Sequence, residues 1–386
     1  MTTPFWLRSK ATEVADINTD IVIVGGGYVG LSVAYWLTEL KPNLKITVVD
    51  RNSCGSGASG RNAGFLTKGS ASFYKGLVED WGVSDALEIY KFAEESLKLV
   101  HDHFLRENPR KDFEKTSSMT LFQKQKQLDV WKTNDFSPEA FGFNFQKELP
   151  ENLKTMFFGG FENGPEYKVN PILLLELIRN KLESRKVKII ESNAAFRLSP
   201  EGVETELSTI KAKQVVLALN GYFPEFHPVF NGMITPRRAQ MLAVELEGEI
   251  NCPHLYYDPP ERVYWRKTES NVLVIGGKRL LDEKGEVGDF EKISAPIQDG
   301  LEQYLKEQLS VKYKVINRWS GTMGFTDHEL PLSGKIEAPL ETYMIGGFSG
   351  HGMGLGFNSA RDLAEVIISK KKESFFNKFK KVDFKI

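Results

Sequence analysis

The sequence predicts an α/β fold in which a parallel-sheet domain and a smaller antiparallel-sheet domain are interleaved along the chain. An apolar strand, a glycine turn and a helix open the chain, and similar apolar strands recur near its middle and its end. Between them, residues 241–275 alternate short strand patterns with turns, as in an antiparallel sheet. The 386 residues leave room for two domains of about 100–200 residues each.

The first strand, residues 21–24, is a continuous apolar run that ends in glycines, which is typical of a buried parallel strand. Residues 31–40 carry apolar side chains at helical spacing, and Pro42 ends that helix. Residues 45–50 form the next predicted strand. The opening fifty residues therefore predict a β-turn-α-β unit.

The turn of this unit reads Gly25-Gly26-Gly27-Tyr28-Val29-Gly30. Glycines at these spacings allow a tight turn, close approach of the backbone to a pyrophosphate, and close packing of helix on strand. Asp50 stands twenty residues after Gly30, where a carboxylate accepts hydrogen bonds from ribose hydroxyls. This context predicts a Rossmann-like dinucleotide-binding domain. The residues expected to contact the nucleotide are Gly25, Gly27, Tyr28, Val29, Gly30, Asp50 and Arg51.

A second stretch of small residues, 54–65, follows the unit and favours FAD over NAD as the dinucleotide. Small side chains let the backbone run beside an extended ligand, and NAD-dependent dehydrogenases need no such stretch here. A flexible linker is the other interpretation, although an Arg-Asn pair and a phenylalanine are poor linker composition. The expected contacts are Gly57, Ala58, Ser59, Arg61, Asn62, Ala63, Gly64 and Phe65.

Further elements complete the outline. Helices are expected over 85–106, over 171–182 behind Asn170-Pro171, and over 358–369; strands are expected over 186–191, 212–219 and 342–345. Residues 1–19 are expected to form an irregular arm. We assign 1–80, 150–226 and 318–386 to the FAD-binding domain, and 81–149 and 227–317 to the substrate-binding domain.

The sequence resembles the D-amino-acid oxidase (DAO) superfamily of FAD-dependent oxidoreductases. It is most similar to the glycine oxidase, sarcosine oxidase and gamma-glutamylputrescine oxidoreductase-like members. The matching segments are Phe5-Trp6, 20–30, Asp50, 57–64, 215–221, 273–277, 319–334 and 346–354, in the family's order.

The resemblance implies further cofactor contacts and a chemistry. Ala195 would lie near the adenine, Ala218, Asn220 and Gly221 beside the cofactor, and the C-terminal loop at the flavin ring. That loop contributes Gly347, Gly350, His351, Gly352 and Met353. The loop precedes a predicted helix, whose N–H groups and dipole can stabilise negative charge on a reduced flavin. The implied reaction oxidises the C–N bond of an amine or amino acid by hydride transfer to flavin N5.

Two positions, Met323 and Val274, depart from the pattern of related members, and Arg61 bears on how flavin is attached. Relatives that attach flavin covalently carry a histidine where this chain has Arg61, or a cysteine within 319–326, where it has none, so FAD is expected to bind noncovalently. Met323 stands where glycine-oxidase-like members carry a carboxylate-binding arginine. Val274 stands where sarcosine oxidases carry a lysine that promotes oxygen reduction, which leaves oxidase and dehydrogenase activity open.

The candidate catalytic residues are Tyr264, Arg266 and His351. Each has a structural alternative: core packing for the tyrosine, a surface charge for the arginine and a loop hydrogen bond for the histidine. His101 and His103 have spacing that a metal could use, but a solvated helix end is favoured and no metal is expected.

Composition limits the remaining classes of function. A net charge of −1 gives no indication of nucleic acid, and no apolar run approaches the length of a membrane span, so a small-molecule partner and a cytoplasmic location are expected. The C-terminal tail has seven lysines with interleaved phenylalanines; packing on its own domain is favoured over membrane contact. The alternative function is a flavoprotein without amine oxidation activity, acting as a binding or assembly subunit. A reductase with a second NAD(P)H-binding motif is not indicated, and the oligomeric state stays open.

Overall fold

A computed structural model describes residues 17–129, 131, 136–268 and 270–386. The Phe5-Trp6 pair of the expected arm lies outside these residues. In chain order the strands are β1 (Ile17–Asn18), β2 (Ile21–Val24), β3 (Ile46–Val49), β4 (Phe65–Leu66), β5 (Phe113–Phe122), β6 (Asn144–Gln146), β7 (Gly159–Val169), β8 (Lys188–Ile190), β9 (Ala195–Ser199), β10 (Gly202–Thr205), β11 (Thr209–Lys211), β12 (Gln214–Leu217), β13 (Thr235–Leu246), β14 (Leu255–Asp258), β15 (Val263–Lys267), β16 (Val272–Gly277), β17 (Tyr313–Phe325), β18 (Leu332–Ile336) and β19 (Glu341–Gly346). The α-helices are α1 (Tyr28–Leu40), α2 (Ala58–Arg61), α3 (Ala71–Val100), α4 (Gln125–Asp129), α5 (Glu151–Lys154), α6 (Pro171–Ser184), α7 (Phe223–Phe226), α8 (Ala295–Glu307) and α9 (Gly352–Ile367).

The central sheet joins the start, middle and end of the chain. Its strand order is β18-β19-β12-β2-β3-β8, with β18 antiparallel to β19 and the other neighbours parallel. All four residues of β2 are buried, as are those of β3, because helices α1 and α9 pack on one face of the sheet and strands β10 and β11 pack on the other. The predicted fold class, with strands recruited from three distant segments, is confirmed.

Helices α1 and α9 pack against each other on this sheet, where the Trp36 indole donates a hydrogen bond to the Phe357 carbonyl at 3.0 Å. The sequence prediction of a helix from 358 was wrong by six residues, since α9 begins at Gly352. Its glycines permit close packing: a Cβ on Gly354 would lie 2.0 Å from the Thr67 carbonyl oxygen, and one on Gly356 2.9 Å from Val29. Tertiary packing therefore places a helix where glycine content predicted a loop.

The helix expected over 85–106 is also longer than predicted. Helix α3 begins at Ala71, where Ser70 caps it by accepting a hydrogen bond from the Phe73 N–H. Gly82, with φ of 81°, kinks it into two segments, and a π-helical turn continues it over His101–Leu105. The first segment, 71–81, was not predicted, although Tyr74, Leu77, Val78 and Trp81 recur at helical spacing in the sequence.

The second large sheet has nine strands in the order β17-β13-β16-β15-β14-β5-β7-β4, with β6 paired to β7. One face packs through Leu242, Trp265 and Ile275 onto helix α8. Strand β7 pairs in this sheet, although its residues fall within the 150–226 range that we assigned to the FAD-binding domain. The assignment of domains remains a prediction.

The C-terminal tail packs on the chain itself, as favoured. Phe375 stacks on Phe92 with ring centroids 4.4 Å apart, Phe376 is buried, and Phe384 meets Phe230 at 5.3 Å. Across the described residues, no helix has the length and apolar character that crossing a bilayer requires.

Candidate active site

A cavity of about 880 Å³ opens at the carboxyl ends of the parallel strands. Val24, Val49 and Ile345 line it from β2, β3 and β19, and Ala218 lines it from just beyond β12. Open α/β sheets bind ligands in the crevice at this edge. The topology thus brings the glycine turns from both ends of the chain to one cavity.

The first glycine turn is shaped by contacts that leave no room for side chains. Gly25 has φ of 111°, and a Cβ there would lie 2.5 Å from the Ala218 carbonyl oxygen. A Cβ on Gly30 would lie 1.9 Å from the Gly25 carbonyl oxygen. Asp50 accepts hydrogen bonds from the N–H groups of Gly26 (2.7 Å) and Asn52 (2.8 Å). Burial raises the pKa of Asp50, and these two hydrogen bonds oppose that shift.

The second small-residue stretch folds against the first turn. The short helix α2 presents the Ser59 hydroxyl, which accepts a hydrogen bond from the Tyr28 N–H at 2.8 Å. A Cβ on Gly27 would lie 2.9 Å from that same hydroxyl oxygen. Asn62 turns the chain after α2, donating to the carbonyls of Ala58 and Ser59 and accepting from the Gly64 N–H. Small residues such as serine and glycine therefore fit beside the cavity at these positions.

Arg61 links this stretch to the antiparallel sheet. Its guanidinium donates to the carbonyls of Ser56 (2.6 Å) and Ser320 (3.1 Å) and forms an ion pair with Glu291. The Trp319 indole returns a hydrogen bond to the Arg61 carbonyl at 2.9 Å. We therefore interpret Arg61 mainly as a residue that holds the α2 segment to strand β17 at the cavity wall.

The C-terminal loop is joined to the middle of the chain by Asn220. The Asn220 Oδ1 accepts hydrogen bonds from the N–H groups of Gly347 (3.1 Å) and Phe348 (3.5 Å). Gly347 and Gly350 have φ of 75° and 92°, which a glycine adopts without strain. The loop then enters α9, whose first N–H groups lie beside the cavity lining formed by Gly352 and Met353.

One face of the nine-stranded sheet looks toward this loop and the 61–66 segment. Residues paired across strands share a face, and the register pairs Met241 with Trp319, Arg237 with Met323, and both Met241 and Tyr264 with Gly276. Trp319 contacts Arg61, and Met323 lines the cavity. Tyr264 therefore lies on the face of the sheet that is turned toward the cavity, although it is not itself one of the residues that line the cavity.

Tyr264 is tightly surrounded. Its ring meets Phe65 edge-on at 5.9 Å, and its hydroxyl donates to the Met241 sulfur at 3.3 Å. A Cβ on Gly276 would lie 2.7 Å from the Tyr264 hydroxyl, so that glycine makes space for the ring. Burial raises the pKa of Tyr264 to about 12, so its hydroxyl stays protonated at neutral pH.

Arg266 and His351 stand just outside the cavity lining. The Arg266 guanidinium donates to the carbonyls of Ala63 (2.6 Å) and Val169 (2.9 Å), so it braces the backbone of the second stretch. Burial lowers its pKa to about 10. The His351 ring stacks on Phe73 at 3.8 Å, its Nδ1 is buried without a partner in the described part of the chain, and burial lowers its pKa to about 4. His351 is therefore neutral at pH 7.

Most predicted cofactor residues line the cavity: Gly25, Gly27, Tyr28, Val29, Asp50, Arg51, Gly57, Ala58, Ser59, Arg61, Asn62, Ala195, Ala218, Asn220, Gly350, Gly352 and Met353. The other predicted cofactor residues are not part of this lining: Gly30, Ala63, Gly64, Phe65, Gly221, Gly347 and His351.

Sequence reasoning missed several lining residues, including Phe196, Tyr222, Phe226, Phe290 and Phe348. Tyr222 supports Arg51, whose guanidinium lies 4.3 Å from the tyrosine ring centroid. Only Phe348 had a usable signal, because it lies inside the glycine loop.

No group of three metal-ligating side chains occurs within the described ranges. His103, considered above for its spacing, instead shares a 2.8 Å hydrogen bond with the Tyr35 hydroxyl.

These features fit an extended dinucleotide. Glycine turns that a Cβ would fill line one end of the cavity, and the Tyr28 hydroxyl is buried without a partner in the described structure. The chain belongs to the FAD-dependent oxidoreductase (DAO) family, whose sequence model matches residues 20–366.

Individual relatives agree with this membership. The chain is 23% identical to gamma-glutamylputrescine oxidoreductase of Escherichia coli (strain K12), over 91% of this chain and 84% of the relative. L-Proline dehydrogenase from P. horikoshii shares its fold with a TM-score of 0.76 at 18% identity, over 94% of this chain and 96% of that one. Glycine oxidase from Geobacillus kaustophilus shares the fold with a TM-score of 0.72 at 17% identity, and the match covers 94% of this chain and 98% of the glycine oxidase chain. The predicted resemblance is confirmed.

Proposed function

We propose that this protein oxidises the C–N bond of an amine or amino acid with noncovalently bound FAD. The observation that carries the proposal is the single cavity that runs from the dinucleotide-type glycine turn at Gly25 to the C-terminal loop at Gly350. Relatives named for gamma-glutamylputrescine, L-proline and glycine support an amine or amino-acid substrate.

Noncovalent binding is supported by the side chains near the loop. Arg61 occupies the position of the histidine in covalently linked relatives, and no cysteine lies in 319–326. Cys54 lies instead at the first glycine turn, where its sulfur would be 2.4 Å from a Cβ on Gly26. Burial raises the pKa of the Cys54 thiol to about 12, so it stays a poor nucleophile.

FAD, when bound, supplies a hydride acceptor at N5 for the carbon beside the amine nitrogen; the amine loses a proton to solvent and leaves as an imine. The chain's own residues orient the substrate and exclude water. Phe65, Met241 and Tyr264 form an apolar wall with one hydroxyl donor. His351 is neutral at pH 7 and therefore adds no positive charge at the start of α9.

The test is anaerobic titration of the FAD-loaded protein with a panel of amines and amino acids, followed by visible absorbance. We expect at least one compound to bleach the flavin absorbance and yield its imine or carbonyl product. If no compound bleaches a fully FAD-loaded protein, amine oxidation is refuted, and the alternative of a flavoprotein without this activity takes its place.

A further inference from the structure

Two arginines lie close together on the cavity side of the nine-stranded sheet. The Arg237 guanidinium lies 5.6 Å and the Arg279 guanidinium 4.6 Å from the centroid of the same ring, that of Phe325. Arg237 comes from β13, and Arg279 follows directly after β16. Burial lowers the pKa of Arg279, and the neighbouring positive charge of Arg237 lowers it further.

Both guanidiniums have hydrogen-bonding capacity left over. The Nε atoms of Arg237 and Arg279 are buried and have no hydrogen-bond partner in the part of the chain that the structure describes. Among the described residues, the ion pair of Arg237 is with Glu283, at 4.0 Å, and the Glu283 side chain is 57% exposed. Glu329 is the other nearby acid, and it makes no ion pair within 4.0 Å among the described residues. Unmet charged donors of this kind favour an anionic ligand.

The pair lies next to a residue of the cavity lining and next to Tyr264. Arg237 is the cross-strand neighbour of Met323, which lines the cavity. Arg279 is near enough to Tyr264 for the two groups to shift each other's pKa. Met323 is the position at which glycine-oxidase-like relatives are expected to carry their carboxylate-binding arginine. Arg237 and Arg279 would supply, from neighbouring elements, the positive charge that this chain lacks at position 323.

We propose that Arg237 and Arg279 bind a carboxylate of the substrate, which makes the substrate an amine that carries a carboxylate and excludes simple diamines. This inference rests on the proposed function and specifies its substrate class. The two guanidinium groups beside the Phe325 ring would repel the second ammonium group of a diamine substrate. A substrate carboxylate would instead accept a hydrogen bond from each guanidinium.

The test uses the FAD-loaded protein, with propionate as the probe and propionamide as its uncharged match, at fixed ionic strength. We expect propionate alone to perturb the flavin spectrum saturably. Arg237→Gln and Arg279→Gln should each raise the Kd for propionate about 10- to 100-fold, the range for losing one charged hydrogen bond. Arg106→Gln, at an exposed surface arginine, is the matched control and should leave the Kd unchanged.

Equal propionate affinity in the wild type and in both active-site variants would overturn the inference, as would a flavin spectrum that propionate does not perturb. These outcomes are distinct from failure of the proposed function. If propionate binds as expected but no amine bleaches the flavin, the anion site stands and the oxidation does not.

Discussion

At the residue scale, Gly27 is the position where a side chain would most directly oppose cofactor binding. Replacing Gly27 by Val would drive a Cβ to within 2.9 Å of the Ser59 hydroxyl and add methyl groups beside the cavity. We expect Gly27→Val to purify with little or no FAD, measured as the ratio of flavin to protein absorbance.

The matched control is Gly248→Val, at an exposed glycine where a Cβ meets no atom within 4 Å. It should retain the wild-type flavin content. A Gly27→Val protein with native circular dichroism and stoichiometric FAD would show that the first turn does not contact the cofactor.

At the element scale, the packing of α9 depends on small residues at its start. Gly354→Ala would place a Cβ 2.0 Å from the Thr67 carbonyl oxygen, a backbone atom that cannot rotate away. We expect the free energy of unfolding to fall by about 1–3 kcal/mol, the usual cost of overpacking, measured by urea denaturation.

Gly76→Ala provides the comparison within a helix. Gly76 lies in α3, and a Cβ added there would meet no atom within 4 Å, so its replacement should stabilise by about 0.5–1 kcal/mol through helix propensity alone. Equal effects of the two substitutions would mean that α9 does not pack on the Thr67 segment as described.

The elements also show which features a sequence can predict. Apolar runs predicted β2, β3, β12 and β19, because a strand buried on both faces needs little else. The start of α9 was wrong because its glycines penalise a helix locally, whereas contacts with distant residues decide the outcome. The first turns of α3 were missed, although Tyr74, Leu77, Val78 and Trp81 carry the helical apolar spacing that would have predicted them.

At the scale of the whole molecule, His351 couples stability to pH. Its pKa of about 4 in the folded protein lies below the ordinary 6.5, so the unfolded chain binds more protons between these values. Stability contributed by the neutral histidine is therefore present above pH 6.5 and lost as pH falls toward 4. At pH 5 this amounts to about 2 kcal/mol.

The measurement is the free energy of unfolding of wild type and His351→Gln at pH 7 and pH 5. The difference should shift by about 2 kcal/mol in favour of the variant at the lower pH. Comparing variants is needed because Glu166, whose pKa burial raises to about 7, has the opposite pH dependence. A difference that does not change with pH would mean that His351 is accessible to protons in the folded state.

The site as a whole was only partly predictable from the sequence. The glycine turns can be recognised in the sequence because other residues do not tolerate their backbone geometry, as at Gly25. The Arg237–Arg279 pair gives no such signal, since its members are 42 positions apart and meet only through the strand register. Arg266 looked catalytic by its strand position, yet its donors go to two backbone carbonyls.

The most direct test of the central claim is to denature the purified protein, separate small molecules by ultrafiltration and identify the flavin by chromatography. We predict one FAD per chain, all of it in the filtrate, because the proposed binding of FAD involves no covalent bond to the chain. A colourless protein that FAD does not reconstitute, or flavin retained with the denatured chain, would contradict this claim.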